Sequence, residues 1–275
     1  MNNFASDDAA CPAQTTGFAE SNLGPFDPAD TAAGDVLFLD AGTDVFAAAR
    51  SMLGAPHQAS QSAASREPAR HPHQPQLAPW AIVPGLTASA ILQTDKGEVA
   101  AADLCAGQRI LTRDKGFQTV IWVGQRKVSA AEMTTHPALR PVLIAAGALG
   151  PNLPAQDMLV PQTYRLLVEG PRTKLMFAQR EVFVEAAHLV GFPAISLLPA
   201  QDLSYVHILC NAHEVIWANG IWGESLHLEP RAFAGFSDVQ NIEIRPLSAK
   251  IAAAGQHDDA ARRTLLRNEA DLLLA

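Results

Sequence analysis

Short apolar runs separated by turn residues dominate the chain from Ala81 to Leu228. The runs are rich in β-branched and aromatic residues, and turn signals recur about every 8–12 residues, a spacing typical of compact all-β domains. We therefore predict a mostly β domain over residues 81–228, with one helical turn at Ala186–Val190. The predicted strands are Ile91–Thr94, Gln108–Thr112, Phe117–Val128 with a break at Gly124, Pro141–Ile144, Met158–Val160, Tyr164–Glu169, Glu181–Glu185, Ile195–Leu198, Ser204–Cys210 and Glu214–Ala218.

The segments on either side of this domain have different patterns. Residues 258–274 begin with acids and carry leucines at helix-compatible spacing, which predicts a helix in a C-terminal tail, residues 229–275. Residues 1–54 form an acidic segment that we expect to be mostly disordered, with a short element at 35–53 that contains a strand at Val36–Leu39 and a helix at Val45–Leu53. Residues 55–80 are rich in Pro, Gln and His, and they predict a linker because few large apolar groups are available to offset the ordering entropy.

Negative charge is concentrated near the N-terminus. The 275 residues carry a net charge of −8, and residues 1–49 hold eight acids and no Lys or Arg. This balance disfavours a nucleic-acid partner. A membrane span is disfavoured because no apolar run reaches 18 residues. The N-terminus lacks the basic start and apolar run of a signal peptide, so we expect a cytoplasmic protein and leave secretion by a non-classical route open.

Motifs of familiar catalytic and cofactor sites are absent from the sequence. It contains no GxGxxG, GxxxxGK[ST], GxSxG or HExxH motif and no Cys-x-x-Cys pair. His207, His213 and His227 share strand parity if their segments are extended, which leaves metal ligation open as an alternative. Bulges and separate strands can break such a register, so we expect buried or edge histidines bonded to the backbone. We predict no cofactor and no metal site.

Three stretches resemble successive blocks of one known family. They are Thr94–Val128, Pro141–Val168 with the phrase AGALGPNLP at Ala146–Pro154, and Tyr205–Ser225. In this order and at this spacing they are similar to a bacterial Hint domain, the Hedgehog/intein autoprocessing fold. The resemblance implies a horseshoe-like β fold in which both ends of the domain meet at one site.

The resemblance also implies a self-cleavage chemistry for which two groups are missing here. In the family, a Cys before the first strand attacks the preceding carbonyl, and a histidine in the second block protonates the departing amide. These positions fall on Gly85, which has no nucleophile, and on Thr163, whose hydroxyl does not deliver a proton near neutral pH. The closing His-Asn pair of inteins falls on Glu224 and Ser225. We therefore expect the chain to stay whole at 29.3 kDa.

These substitutions favour a catalytically inactive Hint fold that binds a protein partner or presents its N-terminal segment. The fold would bring Gly85 close to Thr163 and to the end of the domain, and its former cleft would remain as a groove. The positions of this pseudo-active site are Gly85, Thr163, His213, Glu224 and Ser225.

Autoprocessing with a shifted nucleophile is the alternative function. Thr87 or Ser89 would then attack, and His136, His207 or His213 would act as the acid. A β-barrel unrelated to the Hint family is a third interpretation of the strand pattern.

Overall fold

The computed structural model describes residues 85–230, 232–253 and 259–274, together with the backbone of Leu37 and Phe38. The strands are β1 (Leu37–Phe38), β2 (Leu86–Thr87), β3 (Ile91–Thr94), β4 (Gly97–Ala100), β5 (Arg109–Thr112), β6 (Gly116–Val128), β7 (Val142–Ile144), β8 (Met158–Val160), β9 (Arg165–Glu169), β10 (Glu181–Glu185), β11 (Ile195–Leu197), β12 (Leu203–Cys210), β13 (Val215–Ala218) and β14 (Ile221–Glu224). The helices are α1 (Ala130–Thr135), α2 (Pro171–Phe177), α3 (Ala186–Leu189), α4 (Asp238–Ala253) and α5 (Arg267–Leu274).

Eleven of these strands form one large sheet. Its order is β1-β9-β14-β13-β3-β5-β6-β12-β2, with β10 added to β9 and β4 added to β3. The strands β11, β7 and β8 form a second, smaller sheet. Because β2 and β14 belong to the same sheet, the first and last strands of the domain that begins at Gly85 are joined through one hydrogen-bonded network.

Strand β12 is covered by apolar side chains on both of its faces. On one side Val206 and Ile208 enter the main core, while on the other side Tyr205 and Leu209 enter two smaller apolar clusters. Both faces of the strand are therefore covered, and the residues between them are buried whatever their parity. This double coverage is what buries His207 completely.

The predicted mostly β fold is confirmed, and the strands β3, β8 and β10 have the predicted bounds. The predicted break at Gly124 is wrong, because β6 runs without interruption and Gly124 pairs with His207 of β12. Position 124 has room only for glycine because the indole of Trp122 covers it. A Cβ at position 124 would lie only 2.6 Å from Cζ2 of that ring.

The C-terminal helix is shorter than predicted and belongs to the core. It begins at Arg267, whereas residues 259–266 are not helical and Thr264 forms a β-bridge with Phe183. Residue 258, with which the predicted helix began, lies outside the described residues. Leu273 is fully buried in the main core, so α5 completes the domain from a distant part of the sequence.

Helix α4 is absent from the sequence-based prediction and covers the outer side of β6 and β12. Ile244 is fully buried against Trp122 and Leu209, and Trp122 Nε1 donates to Glu243 at 2.9 Å. The helix contains Pro246, which is tolerated because this packing holds it in place.

The N-terminal expectations fall mostly outside the described residues. Those for 1–34, for the helix at Val45–Leu53 and for the linker at 55–80 lie entirely there. Within the expected strand Val36–Leu39, β1 pairs in parallel with β9. No helix in the described part of the chain is long and apolar enough to cross a membrane.

Candidate functional site

Gly85 lies against strand β12 at the start of the described domain. The next residue, Leu86, pairs with Val206, and Gly85 itself is buried with a φ of +129°. A Cβ at position 85 would overlap the carbonyl oxygen of Val206 and would lie 2.9 Å from its carbonyl carbon. It would also lie 3.2 Å from Nδ1 of His207. The position therefore has neither the backbone conformation nor the room for a side chain.

His207, the neighbour of Gly85, is enclosed by aromatic rings. Its imidazole is stacked on Trp122 with ring centroids 6.4 Å apart, and it makes a T-shaped contact with Phe236 with ring centroids 5.1 Å apart. Phe236 follows a 3₁₀ turn at Ala232–Gly235 that leads into α4. The surroundings of Gly85 are thus closed by residues from β6, β12 and the segment before α4.

Thr163 belongs to a turn between β8 and β9 that neighbouring backbone bonds hold in place. Tyr164 N donates to the carbonyl of Pro161 at 3.0 Å, and Ala187 N donates to that of Gln162 at 2.9 Å. The carbonyl of Leu159, in β8, accepts from the Thr87 hydroxyl at 2.8 Å. Strands β2 and β8 are therefore neighbours, although the closeness of Gly85 to Thr163 itself stays a prediction.

Glu224 is the centre of a buried cluster of charged groups. Its carboxylate accepts from the backbone N–H of Arg165 at 3.1 Å and from the guanidinium at 3.2 Å. The same guanidinium donates to Glu229 at 2.5 Å. Burial lowers the pKa of Arg165, but the two carboxylates outweigh burial and raise it, so the side chain remains a cation.

His213 joins this cluster with a defined tautomer. Its Nδ1 accepts from the backbone N–H of Ala261 at 3.1 Å, so the ring proton is placed on Nε2, which lies 3.4 Å from the Glu224 carboxylate. Burial lowers the pKa of His213, and the nearby Glu224 offsets only part of this effect. The expectation of a buried histidine bonded to the backbone is correct at this position.

Ser225 is fixed by a reciprocal pair of bonds with Glu214. The hydroxyl of Ser225 accepts from Glu214 N at 2.9 Å, and Ser225 N donates to the carbonyl of Glu214 at 2.9 Å. The structure therefore brings His213, Glu224 and Ser225 into one buried region. Gly85 lies beside His207 of β12. The next residue of that strand, Ile208, accepts a 2.7 Å hydrogen bond at its carbonyl oxygen from the backbone N–H of Leu226.

Most positions of the expected groove are buried in the structure. Gly85, His213 and Ser225 are buried, whereas Thr163 is half-buried. The Arg165–Glu224 ion pair links β9 to β14. An open groove at these positions stays a prediction.

Sequence reasoning missed two members of the cluster, Arg165 and Glu229, and named His227 only in the alternative of metal ligation. The signal for Arg165 was a cation at the start of an apolar strand, where a charged side chain is buried only when it is paired. His227 stacks on His213 with centroids 4.5 Å apart, and its Nδ1 lies 3.8 Å from Glu229. In the described residues, no three His, Cys, Asp or Glu side chains are grouped as metal ligands.

A match to a family model identifies the class of this domain. The family model described as the Hint domain matches residues 84–230, which is more than half of the chain. The chain therefore belongs to the Hint domain family, and the expected family membership is confirmed.

Solved structures similar to this chain include inteins and one intein-like domain. The gp41-1 intein is 13% identical over 50% of this chain and 96% of its own, with a TM-score of 0.32. The MchDnaB-1 intein is 8% identical over 51% of this chain and 99% of its own, with a TM-score of 0.33. The bacterial intein-like domain from Clostridium thermocellum is 10% identical over 53% of this chain and 100% of its own, with a TM-score of 0.35. No curated protein matches the chain.

Proposed function

We propose that this Hint domain does not cleave its own chain and acts instead as a binding and presentation module for the acidic segment that precedes it. The observation that carries the proposal is the geometry of Gly85. Self-cleavage of the Hint type needs a side-chain nucleophile on the residue that follows the scissile carbonyl. At position 85 there is no such group, and the contact with the Val206 carbonyl leaves no room for one.

The remaining pseudo-active-site positions support the same proposal. Thr163 stands where an imidazole would donate a proton, and Glu224 and Ser225 stand where the closing intein pair would act. The Glu224 carboxylate is engaged by Arg165 and lies beside His213, while the Ser225 hydroxyl accepts a backbone N–H. These contacts give the residues a structural role that needs no substrate.

A shifted nucleophile is less well supported. The Thr87 hydroxyl is buried and donates to the Leu159 carbonyl, while its backbone pairs with Tyr205 of β12. Attack on the preceding carbonyl would require that strand pairing to be lost. Of the three candidate acids, His207 faces Gly85, whereas His213 belongs to the Glu224 cluster.

A protein is the partner that we propose for the module. The net charge of −8 and the eight acids of residues 1–49 oppose binding to a polyanion such as nucleic acid. An uncleaved chain would keep this acidic segment attached to a rigid β domain. Such a chain could present the segment to a partner at a fixed position.

Intact mass measurement tests the absence of self-cleavage. Freshly purified chain is incubated with dithiothreitol or hydroxylamine between pH 6 and pH 9, and we expect only the 29.3 kDa species. A fragment that begins at Gly85 would contradict the proposal. A fragment that begins at residue 87 and disappears in the Thr87→Ala variant would instead establish the shifted nucleophile, with Ser89→Ala as the matched control.

A further inference from the structure

Strand β9 pairs with β10 along one edge and with β14 and then β1 along the other. Strand β10 occupies its edge over the whole length of β9, from the pair Glu181↔Glu169 to the pair Glu185↔Arg165. On the edge opposite β10, β14 pairs at Leu166 only, and β1 pairs in parallel at Val168 and Glu169. Strand β1 thus occupies the stretch of β9 where β14 no longer pairs.

Successive residues of β9 direct their backbone N–H and C=O groups alternately toward β10 and away from it. This alternation determines which groups β9 offers to β1. In β10, the backbone N–H of Phe183 donates to the Arg263 carbonyl at 2.8 Å, and the Phe183 carbonyl accepts from the Leu265 N–H at 2.9 Å. Both backbone groups of Phe183 therefore point away from β9. Leu167, which lies opposite Phe183, therefore directs its own groups away from β10, and so does Glu169 two residues later. The bond from Arg165 N to Glu224 of β14 follows the same alternation.

This register gives Leu37 the central place in the contact. In a parallel ladder, one residue bonds through both of its backbone groups to the two residues that flank its partner. Because Val168 is the partner of Leu37, those two residues are Leu167 and Glu169. Leu37 then donates to the Leu167 carbonyl and accepts from the Glu169 N–H. The backbone N–H of Phe38 points away from β9.

We infer that this edge of β9 is a strand-acceptor site and that its occupant is the chain's own pair Leu37–Phe38. The inference deepens the proposed function and rests on it, since self-cleavage before Gly85 would release the occupant. The acceptor holds the acidic segment on the domain by backbone pairing, a recognition mode that depends on an extended apolar peptide. In the sequence, Leu37 and Phe38 stand in an apolar run that has an acid on each side, Asp35 and Asp40.

The charged groups at this edge balance one another. Arg180 and Arg113 both contact the Glu169 carboxylate at 2.6 Å, and Arg113 also contacts Glu181 at 2.8 Å. Arg262 pairs with Glu181 and with Asp114. The choice of occupant therefore rests on the backbone pairing of β1 with β9 and not on an excess of positive charge.

Amide hydrogen exchange measured by NMR on the full chain tests the inference. The test variant is Leu37→Pro, which removes a pairing N–H, and the matched control is Phe38→Pro, which removes an N–H that faces away. We expect exchange of the Glu169 amide to accelerate at least about tenfold in Leu37→Pro and less than about threefold in Phe38→Pro. The Val168 amide, which faces β10, serves as the internal reference and should keep its exchange rate in both variants.

Three outcomes would overturn the inference. The Glu169 amide could exchange at the same rate in Leu37→Pro and in the unmodified chain, or it could change equally in the two variants. Protection of Glu169 that rises with protein concentration would show that a second copy supplies the strand. An intact mass taken on each sample separates these failures from a failure of the proposed function, because cleavage would appear as loss of the segment before Gly85.

Discussion

The contact between Gly85 and β12 makes a prediction about stability that can be compared with a second glycine. Gly85 and Gly97 both have positive φ, +129° and +111°, but a Cβ at position 97 would meet nothing within 4 Å. Replacing either residue by alanine adds about 1–2 kcal/mol of backbone strain. At position 85 the methyl group would also lie 2.9 Å from the Val206 carbonyl carbon, well inside the ordinary carbon–carbon separation of about 3.5–4.0 Å.

The overlap at Gly85 is with backbone of a central strand, so no side-chain rotation relieves it. Overpacking of this kind typically costs about 1–3 kcal/mol beyond the strain. We therefore expect Gly85→Ala to lower the free energy of unfolding by about 2–5 kcal/mol and Gly97→Ala by about 1–2 kcal/mol. Urea unfolding followed by circular dichroism, with the slope m compared between variants, measures both values. Equal losses at the two positions would refute the close approach of Gly85 to β12 and with it the argument that this position excludes a nucleophile.

Two further predictions concern the buried charged cluster. Arg165→Met leaves the Glu224 carboxylate buried without its cation and should cost about 3–5 kcal/mol of unfolding free energy in urea, whereas Arg180→Met, at a largely exposed side chain, should cost far less. Similar losses in the two variants would contradict the assignment of Arg165 as the buried partner. Burial lowers the pKa of His213 below its unfolded value of about 6.5, so the unfolded chain takes up a proton more readily than the folded chain. The contribution of neutral His213 to the free energy of unfolding is therefore complete above that pH and is lost as the pH falls toward the folded pKa. Unfolding measured from pH 7.5 to pH 5 should show stability falling with pH, with a smaller slope in His213→Gln; an unchanged slope would show that other groups control the titration.

The sequence was most informative where local signals agreed. Strands β3 and β8 have their predicted bounds because a turn residue follows each, Asp95 after β3 and Pro161 after β8, so pattern and pairing select the same residues. Strand β10 has its predicted bounds because it is paired with β9 along its whole length. Strand β4 was missed because only Val99 in it is a strong β former, and its pairing with β3 decides its conformation. Helix α4 was missed because Pro246 lies inside it and its packing on Trp122 comes from a distant part of the chain.

The candidate site was predictable only in part. The expectation that Gly85 stands at the position of the family's nucleophile comes from the resemblance of the sequence blocks and needs no coordinates. The pairing of Arg165 with Glu224 could not be predicted, because the two residues are far apart in sequence and meet only through the β9–β14 ladder.

The β-bridge between Phe183 and Thr264, together with the burial of α5, has a consequence for synthesis on the ribosome. The core that receives Leu273 and Leu274 is built from strands that leave the exit tunnel long before these leucines are translated. Until then, the free edge of β10 beside Phe183 and the apolar surface beneath α5 are exposed on the nascent chain. Burial of this edge thus waits for Thr264 and Leu265, and a chain interrupted before them would keep the edge of β10 open, a feature that favours aggregation.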